Sequence, residues 1–118
     1  MARDRLHGAA AVVGIGKVGW GEAPDRSHLE ICAEAAMNAL ADCGLALADV
    51  DGLFTQNMGN FFPGPSTIEY LGLRPRHIET TTLGGASFVH YVSSAAMALD
   101  AGLCDVALIC YGSNQRTA

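Results

Sequence analysis

The sequence contains one long stretch without a charged side chain. Between Leu83 and Leu99 there is no Asp, Glu, Lys or Arg, and small or apolar residues predominate. The pair Gly84-Gly85 stands at the start of this stretch, and residues 86–101 are predicted to form a helix that Gly102 ends. A helix that is apolar on all sides is typical of an element buried on all sides. We therefore expect a second layer to cover this helix, supplied by a larger protein or by a tight oligomer.

The composition restricts the possible classes of protein. The chain has 118 residues, which is enough for a single domain, and it is 50% hydrophobic and 16% charged. Such a composition excludes intrinsic disorder. The net charge is −5 and no basic cluster is present, so binding to nucleic acid is not expected. No apolar run reaches the roughly 18 residues of a membrane span, and the apolar stretch near the N-terminus is too short for a signal peptide. We expect a protein that neither spans a membrane nor is secreted.

The four cysteines indicate neither a metal site nor a disulfide framework. Their spacing matches no set of metal ligands, and no regular pairing pattern is visible. We expect reduced thiols in the core of a cytoplasmic protein. The residues are Cys32, Cys43, Cys104 and Cys110.

Apolar runs alternate with amphipathic segments along the chain. This alternation predicts the order β-α-β-α-β-α-β, and hence an α/β fold with a mostly parallel sheet and right-handed crossovers. The predicted strands cover residues 10–15, 53–55, 77–83 and 106–111. Capping boxes that start at Ser27 and Ser66 predict two helices, which Gly44 and Gly72 end. Residues 56–65 are rich in glycine and proline and predict a loop.

A glycine motif follows the first predicted strand. Residues 14–19 match G-x-G-x-x-G, the pattern of dinucleotide-binding folds. That mechanism requires a helix to begin directly after the glycines, so that its amino end can hold the pyrophosphate. Here the next helix is predicted only near Ser27, and we interpret the motif as a glycine-rich loop rather than as a cofactor site.

The turn Leu83-Gly84-Gly85-Ala86-Ser87 is the best candidate for a functional site. A predicted strand leads through two glycines directly into the charge-free helix, which directs backbone N–H groups at one point. Such a point stabilises an oxyanion or lowers the pKa of a thiol. Ser87 is either a nucleophile or a helix-capping serine, and the nucleophile motif G-x-S-x-G would need glycine where Phe88 stands. His90 is either an acid–base group near the turn or a hydrogen-bonded core histidine.

The middle loop contributes a second group of candidates. Asn57 and Phe61, together with Asn60 and Phe62, are expected to line a pocket. A loop of this length gives only weak information about function.

At the level of whole segments, the chain resembles the amino-terminal half of the thiolase superfamily. The resemblance rests on residues 11–16, 30–45, 48–53 and 101–109, and the most similar branch is that of the lipid-transfer-protein, or sterol-carrier-protein-x-like, thiolases. It implies that residues 1–118 form an incomplete amino-terminal part of a thiolase-like domain. The later catalytic histidine and cysteine motifs of the family would then lie beyond Ala118.

The resemblance also shows one departure at the turn. Thiolases carry their reactive cysteine at the start of the buried helix, in a pattern like Cys-Ala-Ser-Gly. In this sequence Gly85 stands at the position of the cysteine, Ala86 and Ser87 match, and Phe88 replaces the final glycine. The resemblance therefore implies a site whose cradle is present and whose nucleophile is absent.

Thiolase homologues without this cysteine include aldolases that cleave carbon–carbon bonds in steroid side-chain CoA thioesters. The resemblance implies an acyl-CoA substrate, no further cofactor or metal, a homodimer, and a small partner protein with a zinc-ribbon and an OB-like domain. Gly85, Ser87 and His90 are then the catalytic positions, and Gly84, Asn57 and Phe61 are expected to contact the substrate. Two alternatives remain: an acyl-CoA acyltransferase in which Ser87 is the local nucleophile, and a non-catalytic subunit that pairs with an active chain.

Overall fold

The structure is a computed structural model that describes residues 5–19, 21–57 and 59–115. Three helices alternate with three strands in the described residues. In chain order these are α1 (His28–Cys43), β1 (Gly52–Thr55), α2 (Pro63–Leu71), β2 (His77–Glu79), α3 (Ser87–Asp100) and β3 (Ala107–Cys110). A short 3-10 turn over Leu47–Asp49 connects α1 to β1.

The strands form one parallel sheet in the order β2-β1-β3. The central strand is buried along its whole length, and its Leu53 lies opposite Ile78 on one side and Leu108 on the other. Parallel strands require crossover connections, and helices supply them here. The predicted α/β fold with a parallel sheet is therefore confirmed.

The core has one half on each face of the sheet. Alternate residues of β1 point to opposite faces, so Leu53 packs with α1 on one face while Phe54 packs with α3 on the other. The α1 side is built by Cys32, Ala36, Leu40, Leu53 and Leu108. The α3 side is built by Phe54, Tyr91, Ala95, Ala98 and Cys104.

The bounds of α1 agree with its sequence signals. The Ser27 hydroxyl accepts a hydrogen bond from the Glu30 N–H at 3.1 Å, and Gly44 ends the helix with a φ of 74°. Because α1 begins only at His28, no helix follows the glycine motif of residues 14–19 directly. The rejection of a dinucleotide site at that motif is consistent with this geometry.

The second helix starts earlier than the sequence analysis predicted. It begins at Pro63 rather than near Ser66, with proline in its first turn, and Gly72 ends it as expected. Proline is tolerated there because the first amides of a helix have no partner within the helix. The prediction treated the prolines only as loop residues and was wrong about this boundary.

The predicted strand at residues 10–15 is a further correction. This segment has no strand structure in the described chain, and Val12, Val13 and Ile15 are largely exposed. It lies along α1, where the Ile15 N–H donates to the Asp42 carboxylate at 3.0 Å. Any side chain at Gly16 would collide with the backbone of α1. An apolar crevice of about 1070 Å³, lined by residues of this segment, α1, α3 and β3, explains why the apolar run forms no ladder with the sheet.

Helix α3, whose last residue is the charged Asp100, is buried on one side only. This is consistent with the expectation that a second layer from elsewhere covers it. Tyr91 and Ala98 face the sheet, whereas Val89, Val92 and Met97 are 48–77% exposed. The physical reason is that the described residues supply one layer against α3 and none on its outer face. In the described part of the chain, no helix combines the length and apolar character that a membrane span requires.

Candidate active site

The turn between β2 and α3 has a defined backbone conformation. Gly84 has a φ of +65°, in the left-handed region that favours glycine. Its carbonyl accepts a hydrogen bond from the Ser87 N–H at 3.1 Å, which closes the turn immediately before the helix. The strand predicted over residues 77–83 ends at Glu79, so an irregular segment rather than a strand leads into this corner. The first amide groups of α3 lie next to the corner.

Ser87 stabilises this corner rather than presenting a free hydroxyl. The residue is completely buried, and its Oγ accepts a hydrogen bond from the Leu83 N–H at 2.8 Å. The helix cap is Ala86, so Ser87 does not cap α3. Neither sequence interpretation of Ser87 matches this geometry, since the hydroxyl serves as an internal brace of the turn.

Gly85 occupies open space. It is exposed, its φ is not positive, and a Cβ built on it would have no heavy atom within 4 Å beyond its chain neighbours. The site thus has room at the position where the resemblance places a cysteine. The sequence has glycine at this position although a larger side chain would fit.

A glutamine that the sequence analysis did not select also contacts the turn. Gln56 follows β1 directly and is 4% exposed, and its Nε2 lies 3.4 Å from the Gly84 carbonyl oxygen. Its Oε1 is the one buried side-chain polar atom in the described residues without a hydrogen-bond partner. A glutamine after a strand carries no sequence signal for such a role.

Tyr91 links the turn region to the centre of the sheet. Its hydroxyl accepts from the Thr81 N–H at 2.8 Å and lies 2.9 Å and 3.1 Å from the carbonyl oxygens of Thr81 and Thr55. Burial raises the pKa of Tyr91, while the hydrogen bond from Thr81 opposes that effect. Tyr91 thus connects α3 to the end of β1 and to the segment that follows β2.

His90 lies on the partly exposed side of α3. Its Nε2 is 3.1 Å from the Ser94 hydroxyl and 3.8 Å from a carboxylate oxygen of Glu79. The side chain is 43% exposed, so it is not a core histidine. The ring therefore lies at the surface between the Ser94 hydroxyl and the Glu79 carboxylate.

The two middle-loop candidates, Asn57 and Phe61, differ in their surroundings, since Asn57 is hydrogen-bonded and Phe61 is exposed. The Asn57 amide donates to the Gly112 carbonyl at 2.5 Å, and its Oδ1 accepts from the Gly59 N–H at 2.8 Å. It borders a cavity of about 10 Å³, the size of one water molecule, rather than a pocket for a substrate. Phe61 is 93% exposed and remains free to contact a bound molecule.

Comparison with characterised proteins gives two relatives of similar sequence. The 17-hydroxy-3-oxo-4-pregnene-20-carboxyl-CoA lyase of Mycobacterium tuberculosis is 36% identical over 95% of this chain. A steroid side-chain-cleaving aldolase of Thermomonospora curvata is 34% identical over the same share. The chain spans 29% of the length of each relative. No protein-family model matches the sequence.

Two solved structures share its architecture. An Ltp2-ChsH2(DUF35) aldolase superposes with a TM-score of 0.85 at 31% identity, over 96% of this chain and 30% of the other. A monomeric SCP2-thiolase-like protein from Mycobacterium smegmatis gives a TM-score of 0.66 at 30% identity, over 82% of this chain and 22% of the other. The chain has a thiolase-like fold.

The possible thiol nucleophiles of this thiolase-like chain are its four cysteines. All four are free thiols, and none belongs to the turn. Cys104 and Cys110 are buried, the former just after α3 and the latter at the end of β3. Burial raises the pKa of Cys104, and a hydrogen bond with Cys32 together with burial raises the pKa of Cys110. Thiols of this kind are poor nucleophiles. In the described residues no group of three His, Cys, Asp or Glu side chains is placed to hold a metal ion.

Proposed function

We propose that this chain is part of a thiolase-like lyase that cleaves a carbon–carbon bond in an acyl-CoA thioester without a cysteine nucleophile. The observation that carries the proposal is the open position at Gly85, which has room for a side chain and has none. The printed names of the two relatives, a carboxyl-CoA lyase and a side-chain-cleaving aldolase, support the same reaction class. A fully buried, engaged Ser87 does not support the acyltransferase alternative.

The reaction is a retro-aldol cleavage of a β-hydroxyacyl-CoA. A base takes the proton of the β-hydroxyl group, and the β-carbon becomes the carbonyl carbon of the first product as its bond to the α-carbon breaks. The electron pair of that bond moves into the thioester carbonyl, which becomes an enolate. Protonation of the α-carbon then gives the shortened acyl-CoA. No acyl group is transferred to the protein, so the step needs a base and an anion cradle but no thiol.

The turn supplies the anion cradle in this proposal. The N–H groups of Gly85 and Ala86 stand at the start of the 14-residue helix α3, where its dipole favours negative charge. A hydrogen at Gly85 in place of a thiol side chain leaves space for a bulky substrate, such as a steroid or lipid side chain. Phe61 and Gly84 are the candidate contacts to it, Phe61 through an exposed apolar ring, while Asn57 supports the loop through its hydrogen bonds to Gly112 and Gly59. His90 is the candidate acid–base residue of this chain, and the rest of the enzyme contributes further acid–base groups.

The assembly is part of the same proposal. We infer that residues 1–118 are the amino-terminal part of the thiolase-like domain and that the exposed face of α3 is covered in a homodimer. The name of one similar structure contains two components, Ltp2 and ChsH2(DUF35), which supports a partner protein for the complete enzyme. The family resemblance suggests that this partner is small and carries a zinc-ribbon and an OB-like domain. Four free cysteines support a location in the reducing cytoplasm.

The test compares two substitutions at one position in the complete enzyme. Gly85→Leu fills the open space in front of α3 and is expected to abolish cleavage of a β-hydroxyacyl-CoA while the protein stays folded. Gly85→Ala is the matched control, since its Cβ meets no atom, and is expected to retain most of the activity. Alkylation of Cys32, Cys43, Cys104 or Cys110 by iodoacetamide is expected to leave turnover unchanged. Unchanged turnover in Gly85→Leu, or inactivation by iodoacetamide that maps to one of these four cysteines, would overturn the proposal.

A further inference from the structure

The side chain of Gln56 combines two features that rarely occur together. One end of its amide contacts the turn, with Nε2 at 3.4 Å from the Gly84 carbonyl oxygen. The other end, Oε1, is buried without a hydrogen-bond partner among the described residues. A buried acceptor without a partner is destabilising, and each such case calls for an explanation.

The neighbouring polar groups show that the region otherwise satisfies its hydrogen bonds. The Thr55 hydroxyl, one residue earlier, donates to the Cys110 carbonyl at 2.8 Å. The Tyr91 hydroxyl has a donor at 2.8 Å and carbonyl oxygens within 3.1 Å. Gln56 also lines the cavity of about 10 Å³ beside Asn57, so the polar space of that cavity adjoins its amide while Nε2 contacts the turn.

Peptide geometry connects Gln56 to the candidate anion cradle. The Gly84 carbonyl accepts from two sides, from the Gln56 amide and from the Ser87 N–H. The peptide between Gly84 and Gly85 is planar and trans, so its N–H points opposite to its carbonyl. Because the Gly84 carbonyl faces the Gln56 amide and the Ser87 N–H, the Gly85 N–H points away from both of them.

We propose that Gln56 is a positioning residue that fixes the Gly84–Gly85 peptide so that the Gly85 N–H is directed at the substrate oxygen. The effect on catalysis rests on the proposed function, whereas the effect of Gln56 on the conformation of the Gly84–Gly85 peptide does not depend on it. The peptide planes beside a glycine pair can rotate more freely than those beside other residues, and the Gln56 amide at the end of β1 restricts one of them. A preorganised donor contributes more to an oxyanion than a donor that must be reoriented during the reaction.

The experiment compares Gln56→Met, Gln56→Glu and the control Thr55→Val in the complete enzyme. Methionine keeps the length of the side chain and removes both the donor and the unpaired acceptor. We expect a kcat about 10–100-fold lower with KM within about twofold, which is less than the roughly 100–1,000-fold loss for deleting an oxyanion donor outright. Gln56→Met is also expected to melt close to the wild-type temperature, because methionine conserves the buried volume of the side chain. Gln56→Glu retains the length but replaces the donor with a carboxylate, and is expected to lose kcat at least as strongly.

Thr55→Val removes a buried hydrogen bond on the same strand that does not touch the turn. It is expected to lower the melting temperature and to keep kcat, which is the reverse of the Gln56→Met result. A merely structural role for Gln56 predicts the Thr55→Val pattern for both variants, and that outcome would overturn the proposal.

Hydrogen–deuterium exchange separates this proposal from the proposed function. A peptide covering residues 82–88 is expected to exchange faster in Gln56→Met than in the wild type, and at the wild-type rate in Thr55→Val. If the wild type cleaves no CoA thioester but the exchange difference is present, the proposed function fails and the positioning of the turn stands. Equal exchange in the wild type and Gln56→Met would overturn the positioning of the turn, whatever the activity.

Discussion

Alanine substitutions at the two neighbouring glycines of the turn are expected to change stability in opposite directions. Gly84 has a φ of +65°, and an alanine forced into this left-handed region costs about 1–2 kcal/mol. Replacing glycine also restricts the unfolded chain, which returns about 0.4–1 kcal/mol. The net effect expected for Gly84→Ala is a loss of roughly 1 kcal/mol in the free energy of unfolding.

Gly85→Ala avoids the conformational cost of a left-handed alanine and keeps the stabilisation that comes from restricting the unfolded chain. Its φ is not positive and its Cβ meets open space, so we expect a stabilisation of about 0.4–1 kcal/mol. Urea titration of both variants and the wild type, monitored by circular dichroism, measures the difference between the variants, which we expect to be about 1–2 kcal/mol because the unfolded-state gain is common to both. Equal stability of the two variants, or a less stable Gly85→Ala, would refute the backbone conformation assigned to the turn.

Two further predictions concern Asp51, which directly precedes the central strand β1, and the exposed apolar surface. Burial alone would raise the pKa of Asp51, but hydrogen bonds from the Val106 and Asp105 N–H groups and from Arg76 outweigh it and lower that pKa. A carboxylate with a lowered pKa contributes its full stabilisation above the ordinary carboxyl pKa of about 4 and progressively less below it. Asp51→Asn is therefore expected to lower the free energy of unfolding by roughly 1–3 kcal/mol at pH 7 and by less at pH 3. A loss that does not change with pH in urea titrations would contradict this. Residues 1–118 expressed alone should bind a hydrophobic dye or aggregate, because Val89, Val92 and Met97 and the apolar crevice are uncovered; a dye-silent monomer would show that the chain covers these surfaces by itself.

Local signals in the sequence predicted the helices best. Ser27 and Gly44 mark the ends of α1 because a cap and a left-handed glycine act within a few residues, independently of the rest of the fold. The start of α2 was missed because prolines are equally common in loops and in the first turn of a helix, and only packing decides between them.

Long-range features were beyond the reach of local patterns. The apolar run at residues 10–15 has the composition of a strand, but a strand exists only where a neighbouring edge is available, and the crevice separates this run from β3. The charge-free stretch indicated a need for cover, yet it carried no information on which side of α3 would lack it.

Part of the candidate site was visible in the sequence, and part was not. The position of the turn followed from two glycines before a helix, and the structure places Gly84 and Gly85 directly before α3. The strand before the turn ends earlier than predicted, at Glu79, because its pairing with β1 extends only from His77 to Glu79. The brace from Ser87 to Leu83 depends on a side-chain rotamer, and the contact of Gln56 with Gly84 joins residues 28 positions apart. Neither follows from spacing along the chain.

The central claim is that this thiolase-like chain takes part in carbon–carbon cleavage without forming an acyl-enzyme. Intact-mass spectrometry of the complete enzyme, quenched during turnover of a β-hydroxyacyl-CoA, tests it directly. The account predicts release of a ketone or aldehyde and a shortened acyl-CoA, with residues 1–118 at their unmodified mass at every time point. A covalent acyl adduct on Ser87 or on any of the four cysteines would contradict it.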